Sequence, residues 1–163
     1  MLDADDRQIA QLRRLSKARI MVDRQAWWPH VHEVVAAGAA DVINHHPNNQ
    51  GGLGIARQID AVATAAGLET AIGSSGVFGI QDAAFMQLGT VIGLTRPCED
   101  IGMMPYYSGP TAGEYAFDRE PCVISTPYPI RSGMIGVSSS PGLGVELDAE
   151  RLAACQVGQI EYV

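Results

Sequence analysis

The side chains with the most chemistry in them stand at the ends of short apolar runs. Asp23 closes Ile20-Met21-Val22, and Asn44, His45 and His46 close Asp41-Val42-Ile43 just before Pro47. An imidazole titrates near neutrality and can take up a proton, which makes His46 a candidate general base. Asn44 could face the same cavity and hold a substrate oxygen. Plainer readings stand beside these: His45-His46-Pro47 is also an ordinary polar strand end, and Asp23 could cap the turn that follows it. A third feature is Gly51-Gly52-Leu53-Gly54 ahead of a helix, whose first amides could hold an anion. Those glycines do not follow the G-x-G-x-x-G spacing, no acidic residue falls at the expected distance on a second strand, and close helix packing explains them equally well. His30 and His32 are expected to be exposed on a helix.

The elements that would position these groups repeat one pattern through the first two thirds of the chain: an apolar run, a polar or glycine-rich turn, then a segment with helical spacing. The periodicity predicts a helix from Asp3 to Ser16 with Ile9, Leu12 and Ser16 on one face, then a strand from Ala18 to Asp23. A second helix is expected over Trp27–Ala37, with Val31, Val34 and Val35 inward and Gly38 as a left-handed cap. Asp41–His45 is the next strand. Ile55, Ile59, Val62, Ala63 and Ala66 form an amphipathic stripe that ends at Gly67. A third strand over Leu68–Gly73, a helix over Ile80–Gly93 with Ile80, Ala84, Leu88 and Val91 inward, and a fourth strand near Cys98–Gly102 complete the ladder. Strands alternating with helices of this length favour parallel pairing through crossovers. From Pro105 onward, six prolines break the chain into short extended pieces near Cys122–Ser125 and Met134–Val137. The division expected is therefore 1–104 for the βα units and 105–163 for a wrapping segment of the same domain.

The 163 residues carry a formal net charge of -7, with 47% hydrophobic and 18% charged residues, the profile of a globular domain with a sizeable core. Scattered basic residues argue against a nucleic-acid partner. No run approaches the roughly 20 apolar residues of a membrane span, and the acidic start is unlike a signal peptide, so a cytoplasmic location and no membrane partner are expected. Cys98, Cys122 and Cys155 have neither CxxC spacing nor a disulfide framework and are expected to be reduced.

The most specific pattern lies in the tail. Ile130-Arg131-Ser132-Gly133-Met134-Ile135-Gly136-Val137, followed by Pro141-Gly142-Leu143-Gly144-Val145-Glu146-Leu147-Asp148, resembles the closing segment of muconate-lactonising-type enzymes of the enolase superfamily, the branch that includes mandelate racemase. Upstream, Ala39-Ala40-Asp41-Val42-Ile43-Asn44 with Gly51-Gly52-Leu53 is similar to that family's sixth strand and helix. Ile72-Gly73-Ser74-Ser75 with Gly79-Ile80 is similar to the seventh.

The resemblance implies an α/β fold, the C-terminal half of a (β/α)8 TIM-type barrel of about four βα units. Ile20-Met21-Val22-Asp23 would be its fifth strand, and the capping domain and strands one to four would be absent from this sequence. A closed eight-stranded barrel takes roughly 250 residues, so this length supports about half of one. Open strand edges would then favour a homo-oligomer or a complementary N-terminal half as partner. The family chemistry is proton abstraction next to a carboxylate, with Mg²⁺ stabilising the product and a Lys or His as base. Asp23 corresponds to the family's third metal carboxylate, although Arg24 stands where a Glu is common. His46 corresponds to the strand-six position that carries a Lys or Asp. Asn44 and Ser74 are the substrate-binding candidates, yet Ser74-Ser75-Gly76-Val77-Phe78 has no acid or base where relatives place a His or Glu. The implied function is a Mg²⁺-dependent racemase, cycloisomerase or acid-sugar dehydratase acting on a small carboxylate, inactive alone. The alternatives are a non-catalytic oligomerising half-barrel or a small anion-binding module.

Overall fold

A computed structural model describes residues 5–23, 27–73, 79–98, 123–125, 130–132 and 134–158. The chain divides into two compact units, Met1–Ser74 with Leu88–Glu99, and Ser75–Gln87 with Asp100–Val163.

The first unit is built on a parallel sheet in the order β1 (Met21–Val22), β2 (Val42–His45), β3 (Glu69–Ile72). Helix α1 (Asp6–Leu15) precedes β1, α2 (Val31–Ala37) precedes β2, and α3 (Pro47–Gln50) with α4 (Leu53–Ala65) leads into β3. This is the α/β alternation that the periodicity predicts, with each strand shorter than its apolar run. Val22 lies opposite Ile43, Ile43 opposite Thr70, and His45 opposite Ile72. Successive side chains on a strand point to opposite faces, so these five share one face, while Met21, Val42, Asn44 and Ala71 share the other. The first face looks onto the helices. Val22 and Ile43 join Ala10 of α1, Val31 and Val34 of α2, and Ile59 and Ala63 of α4 in one buried cluster.

Local chemistry sets the helix ends. Asp5 and Gln8 form a reciprocal capping box at the start of α1. Gly38 ends α2 at φ 65°, the left-handed cap expected there. Two features differ from expectation. The segment Pro47–Gln50, which falls in the polar turn between the Asp41–His45 strand and the next helix, forms a helical turn with Pro47 in its first positions and Gly51 at φ 103° after it. On α1 the inward face runs through Ile9 and Ala10, and Leu12 is 57% exposed. The reason is Arg13, on the same side as Ala10, which carries the contact by ion pairing where an apolar residue was expected. Beyond β3, helix α5 (Ile80–Gly89) stops short of Gly93, so Val91 falls outside it and is exposed, while Ala83, Phe85, Met86 and Leu88 are buried. Of the fourth strand expected near Cys98–Gly102, residues 99–102 lie outside the described residues, and Cys98 is in no strand.

The entering ends of the strands are tied by charge. Asp41 Oδ1 accepts from Arg13 Nε at 2.9 Å, Asp41 Oδ2 accepts the Ile20 N–H at 2.8 Å, and Arg13 Nη1 donates to the Gly38 carbonyl at 3.2 Å. The Arg13 hydrogen bond, aided by the Ile20 amide, holds the Asp41 carboxyl below the usual carboxylate range. Arg19 and Arg96 both pair with Glu69 at the start of β3. Beside β3, the Thr95 and Arg96 amides donate to the Thr70 carbonyl and Thr70 Oγ1 donates to the Gly93 carbonyl, which fixes residues 93–96 along that strand.

The described part of the second unit holds the antiparallel pair β4 (Ile130–Arg131) and β5 (Met134–Ile135), together with an antiparallel bridge between Ile124 and Leu147. The bridge at Ile124 and strand β5 fall within the extended pieces expected near Cys122–Ser125 and Met134–Val137, of which Cys122 lies outside the described residues; β4 was not expected. A short helix, α6 (Ala149–Cys155), was not expected there. Asp148 caps it by accepting from the Glu150 and Arg151 amides.

A titratable ring sits in the helix-facing core. His45 is fully buried, its Nδ1 3.3 Å from Gln50 Oε1 and its Nε2 3.7 Å from Asp60 Oδ1, while Asp60 Oδ2 accepts the Gly93 N–H at 3.1 Å. Burial pushes the His45 ring below its ordinary value of 6.5, against the opposing pull of Gln50 and Asp60. The folded chain therefore binds this proton less readily than the unfolded chain. Stability is full above the ordinary value and is lost as the pH falls below it, because the unfolded chain takes up the proton first. Urea unfolding at about pH 7.5 and about pH 5.5 should show lower stability at the acid end, and His45→Gln should flatten that difference.

Candidate active site

The opposite ends of the strands gather the residues singled out in the sequence. Continuing the parallel register one residue past each strand places Asp23 beside Asn44 and His46 beside Gly73; the Gly73 N–H donates to the His45 carbonyl at 3.0 Å, which keeps the two chains in step. The period of two puts Asp23, Asn44, His46 and Gly73 on the face turned away from α2 and α4. His46 Nε2 lies 3.3 Å from Asp23 Oδ1 and 3.2 Å from Asn44 Nδ2. His46 is nearly buried, its side chain 11% exposed, and Asp23 stands at the rim with 46% of its side chain exposed.

Three of the four sequence-predicted residues, Asp23, Asn44 and His46, are thus brought together. Ser74, the fourth, lies outside the described residues. Gly73 completes the cluster, and its role was not read from the sequence. A Cβ at this position would stand 2.4 Å from His46 Nε2 and 2.8 Å from Asn44 Nδ2, far inside van der Waals contact. The signal was available: a glycine at a strand end beside two polar strand ends marks a close approach.

Polar satisfaction here is incomplete. Asp23 Oδ1 and His46 Nδ1 are both buried and neither makes a hydrogen bond; the 3.3 Å approach of Asp23 to Nε2 is not aligned as one. Buried polar atoms without partners are uncommon and concentrate where a ligand or ion is received. A carboxylate oxygen is a donor for a hard cation, and an imidazole nitrogen with a lone pair is a proton acceptor. Asn44 offers an amide beside them. The set can therefore take a proton, hold an oxygen and contribute one oxygen ligand.

Elsewhere the structure changes two readings. Gly51 and Gly52 have φ of 103° and 96°, so the glycine-rich stretch ahead of α4 is accounted for by backbone geometry. His32 is exposed, as expected, but His30 is three-quarters buried, held between Asp6 and Glu33. Among the described residues no helix is long and apolar enough to cross a membrane.

Comparison with known proteins places the chain in a family. Residues 1–151 match the family model described as enolase C-terminal domain-like. Muconate cycloisomerase 1 of Rhodococcus opacus is 30% identical over 143 residues, which are 87% of this chain and 35% of that protein. The solved structure of 2-chloromuconate cycloisomerase from Rhodococcus opacus 1CP superposes with a TM-score of 0.77 at 26% identity, covering 92% of this chain and 38% of that one. N-succinyl Arg/Lys racemase from Bacillus cereus ATCC 14579 shares the fold at a TM-score of 0.79 and 18% identity, covering 97% and 39% respectively. The chain spans between a third and two fifths of the length of these relatives. With the family model matching almost its whole length, the chain belongs to the enolase superfamily, in the mandelate racemase and muconate-lactonising branch, as a C-terminal domain.

Proposed function

We propose that this chain carries part of the active site of a Mg²⁺-dependent racemase, cycloisomerase or acid-sugar dehydratase that abstracts a proton next to a carboxylate, and that it does not turn over substrate alone. In this reading β1, β2 and β3 are strands five to seven of a (β/α)8 barrel and the tail is its wrapping segment. Catalytic residues in such barrels come from the ends of several strands at one face, and the observation that carries the proposal is the convergence of Asp23, Asn44 and His46 at that end.

The donor set fits one corner of a Mg²⁺ site. Mg²⁺ takes oxygen ligands and is commonly held by one or two carboxylates with water, and the buried Oδ1 of Asp23, which accepts no hydrogen bond, is an oxygen of that kind. Asp23 is the residue that would hold the ion; the remaining ligands would come from a complementary N-terminal half or a second copy. When bound, the cation supplies charge neutralisation for the oxyanion that develops on the substrate carboxylate.

The chain's own residues do the rest. His46 is the base, its ring nearly buried at the strand end. Asn44, whose Nδ2 lies 3.2 Å from Nε2, stands beside the ring and holds a substrate oxygen. Ser74 is the further substrate contact. Gly73 is what allows His46 and Asn44 to lie against the strand end without a clash. The partner this predicts is a small carboxylate in the cytoplasm, with neither nucleic acid nor membrane involved.

Mg²⁺ titration by calorimetry, with the mass measured in the same buffer by light scattering, tests the metal assignment. An oligomer, or the chain mixed with a matching N-terminal half, should bind Mg²⁺ more tightly than millimolar, and Asp23→Asn should weaken it about tenfold or more. Mg²⁺ affinity untouched by Asp23→Asn, or no binding in any assembly, would overturn it. Gly73→Ala should cost about 1–3 kcal/mol in urea unfolding and shift the His46 imidazole resonances, because the added methyl must displace that ring. An unshifted His46 would show that the ring is not held there.

A further inference from the structure

A second cluster of ligand-type side chains lies on the helices of the first unit, away from the strand ends. His30, at the start of α2, has Nε2 3.0 Å from Asp6 Oδ2 of α1 and Nδ1 3.0 Å from Glu33 Oε2. Asp6 is 12% exposed, His30 24% and Glu33 74%. The Trp27 indole stacks on the imidazole, with ring centroids 5.8 Å apart and planes 6° apart, so the ring is fixed in both tilt and direction. Among the described residues, the ion pairs of Asp6 and Glu33 are both to this imidazole and none is to a Lys or Arg.

Two carboxylate oxygens and an imidazole nitrogen are ligand atoms for a divalent cation, and Asp6 holds one of those oxygens mostly out of water. The geometry permits it: one ligand atom from each of Asp6, His30 and Glu33 lies within 4.8 Å of the others. A tetrahedral ion with ligand bonds of about 2.0–2.2 Å needs ligand atoms about 3.3–3.6 Å apart, so the exposed Glu33 would turn from Nδ1 toward an ion held at Nε2 with Asp6.

We propose that Asp6, His30 and Glu33 form a binding site for a divalent transition-metal ion of the zinc class, with water in the open position, that staples α1 to α2. An imidazole with two carboxylates suits zinc and its neighbours, where Mg²⁺ would prefer oxygen alone. The site is separate from the strand-end cluster, which uses Asp23 and His46. Its occupation stabilises the folded chain, because the three ligands come from two helices that are apart in the unfolded chain.

Zn²⁺ titration of the full chain by calorimetry, with Co²⁺ as the visible-absorption probe, is the test. One equivalent of Zn²⁺ should bind in the micromolar range or tighter, Co²⁺ should give the intense absorption of a tetrahedral site, and the melting temperature should rise with Zn²⁺. His30→Ala should abolish the Co²⁺ spectrum. Glu33→Gln, an exposed and nearly isosteric change that leaves folding intact, should weaken Zn²⁺ binding roughly tenfold or more. His32→Ala and Asp23→Asn should leave it unchanged, so a failed Mg²⁺ site at the strand ends and a failed Zn²⁺ site here are told apart. Absence of Zn²⁺ binding, or binding indifferent to both His30→Ala and Glu33→Gln, would overturn the proposal and leave a hydrogen-bonded clamp.

Discussion

The backbone register of three parallel strands is the constraint on which the rest of this molecule depends. With Val22 opposite Ile43 and His45 opposite Ile72, every second residue is committed to the helix-facing core and every other one to the opposite face. A slip of one residue would exchange the faces. Asn44 would then enter the core among Val31, Val34 and Ile59, and Ile43 would stand where the strand-end cluster now is. The apolar core and the polar cluster are therefore two readings of one alternation. The burial of Ile43 and Val22 against α2 and α4 is what holds Asp23 and His46 in place.

The adjacent histidines make the point in miniature. His45 and His46 are chemically identical and one residue apart, yet the pleat sends them to different environments. His45 turns into the helix side, fully buried, where desolvation favours the neutral ring and Gln50 and Asp60 supply polar company. His46 turns to the strand end, against Gly73, with a nitrogen left unpaired. The difference between a core residue and a candidate base is set by parity along the strand, and tertiary neighbours only amplify it.

Parity is also why much of this was legible in the sequence. Short apolar runs ending in Asp23 and in Asn44-His45-His46 state both the strands and the side of the sheet on which each polar residue falls, and the stripe Ile55, Ile59, Val62, Ala63 states α4 and its buried face. What could not be read depends on contacts distant in sequence. Nothing local to α1 says that Arg13 will reach Asp41, so the inward face was assigned to Leu12. Nothing near Gly73 says that the His46 ring will come within a methyl's reach of it. The clamp around His30 joins α1 to α2 across an intervening strand, and helical spacing alone made that histidine look like surface. The cap at Asp148 was local and readable, and was hidden by the proline-rich character of the tail around it.

The ion pairs that join Arg13 to Asp41, and Arg19 and Arg96 to Glu69, lie where the strands enter the sheet, and Asp23, Asn44 and His46 lie where they leave it. Each strand is only a few residues long, yet that length is enough to insulate one set of interactions from the other. A residue exchanged at the leaving end alters the polar cluster there while the charged lattice beneath it stays shut. Such a sheet can vary the groups it presents at one end without relearning how to fold.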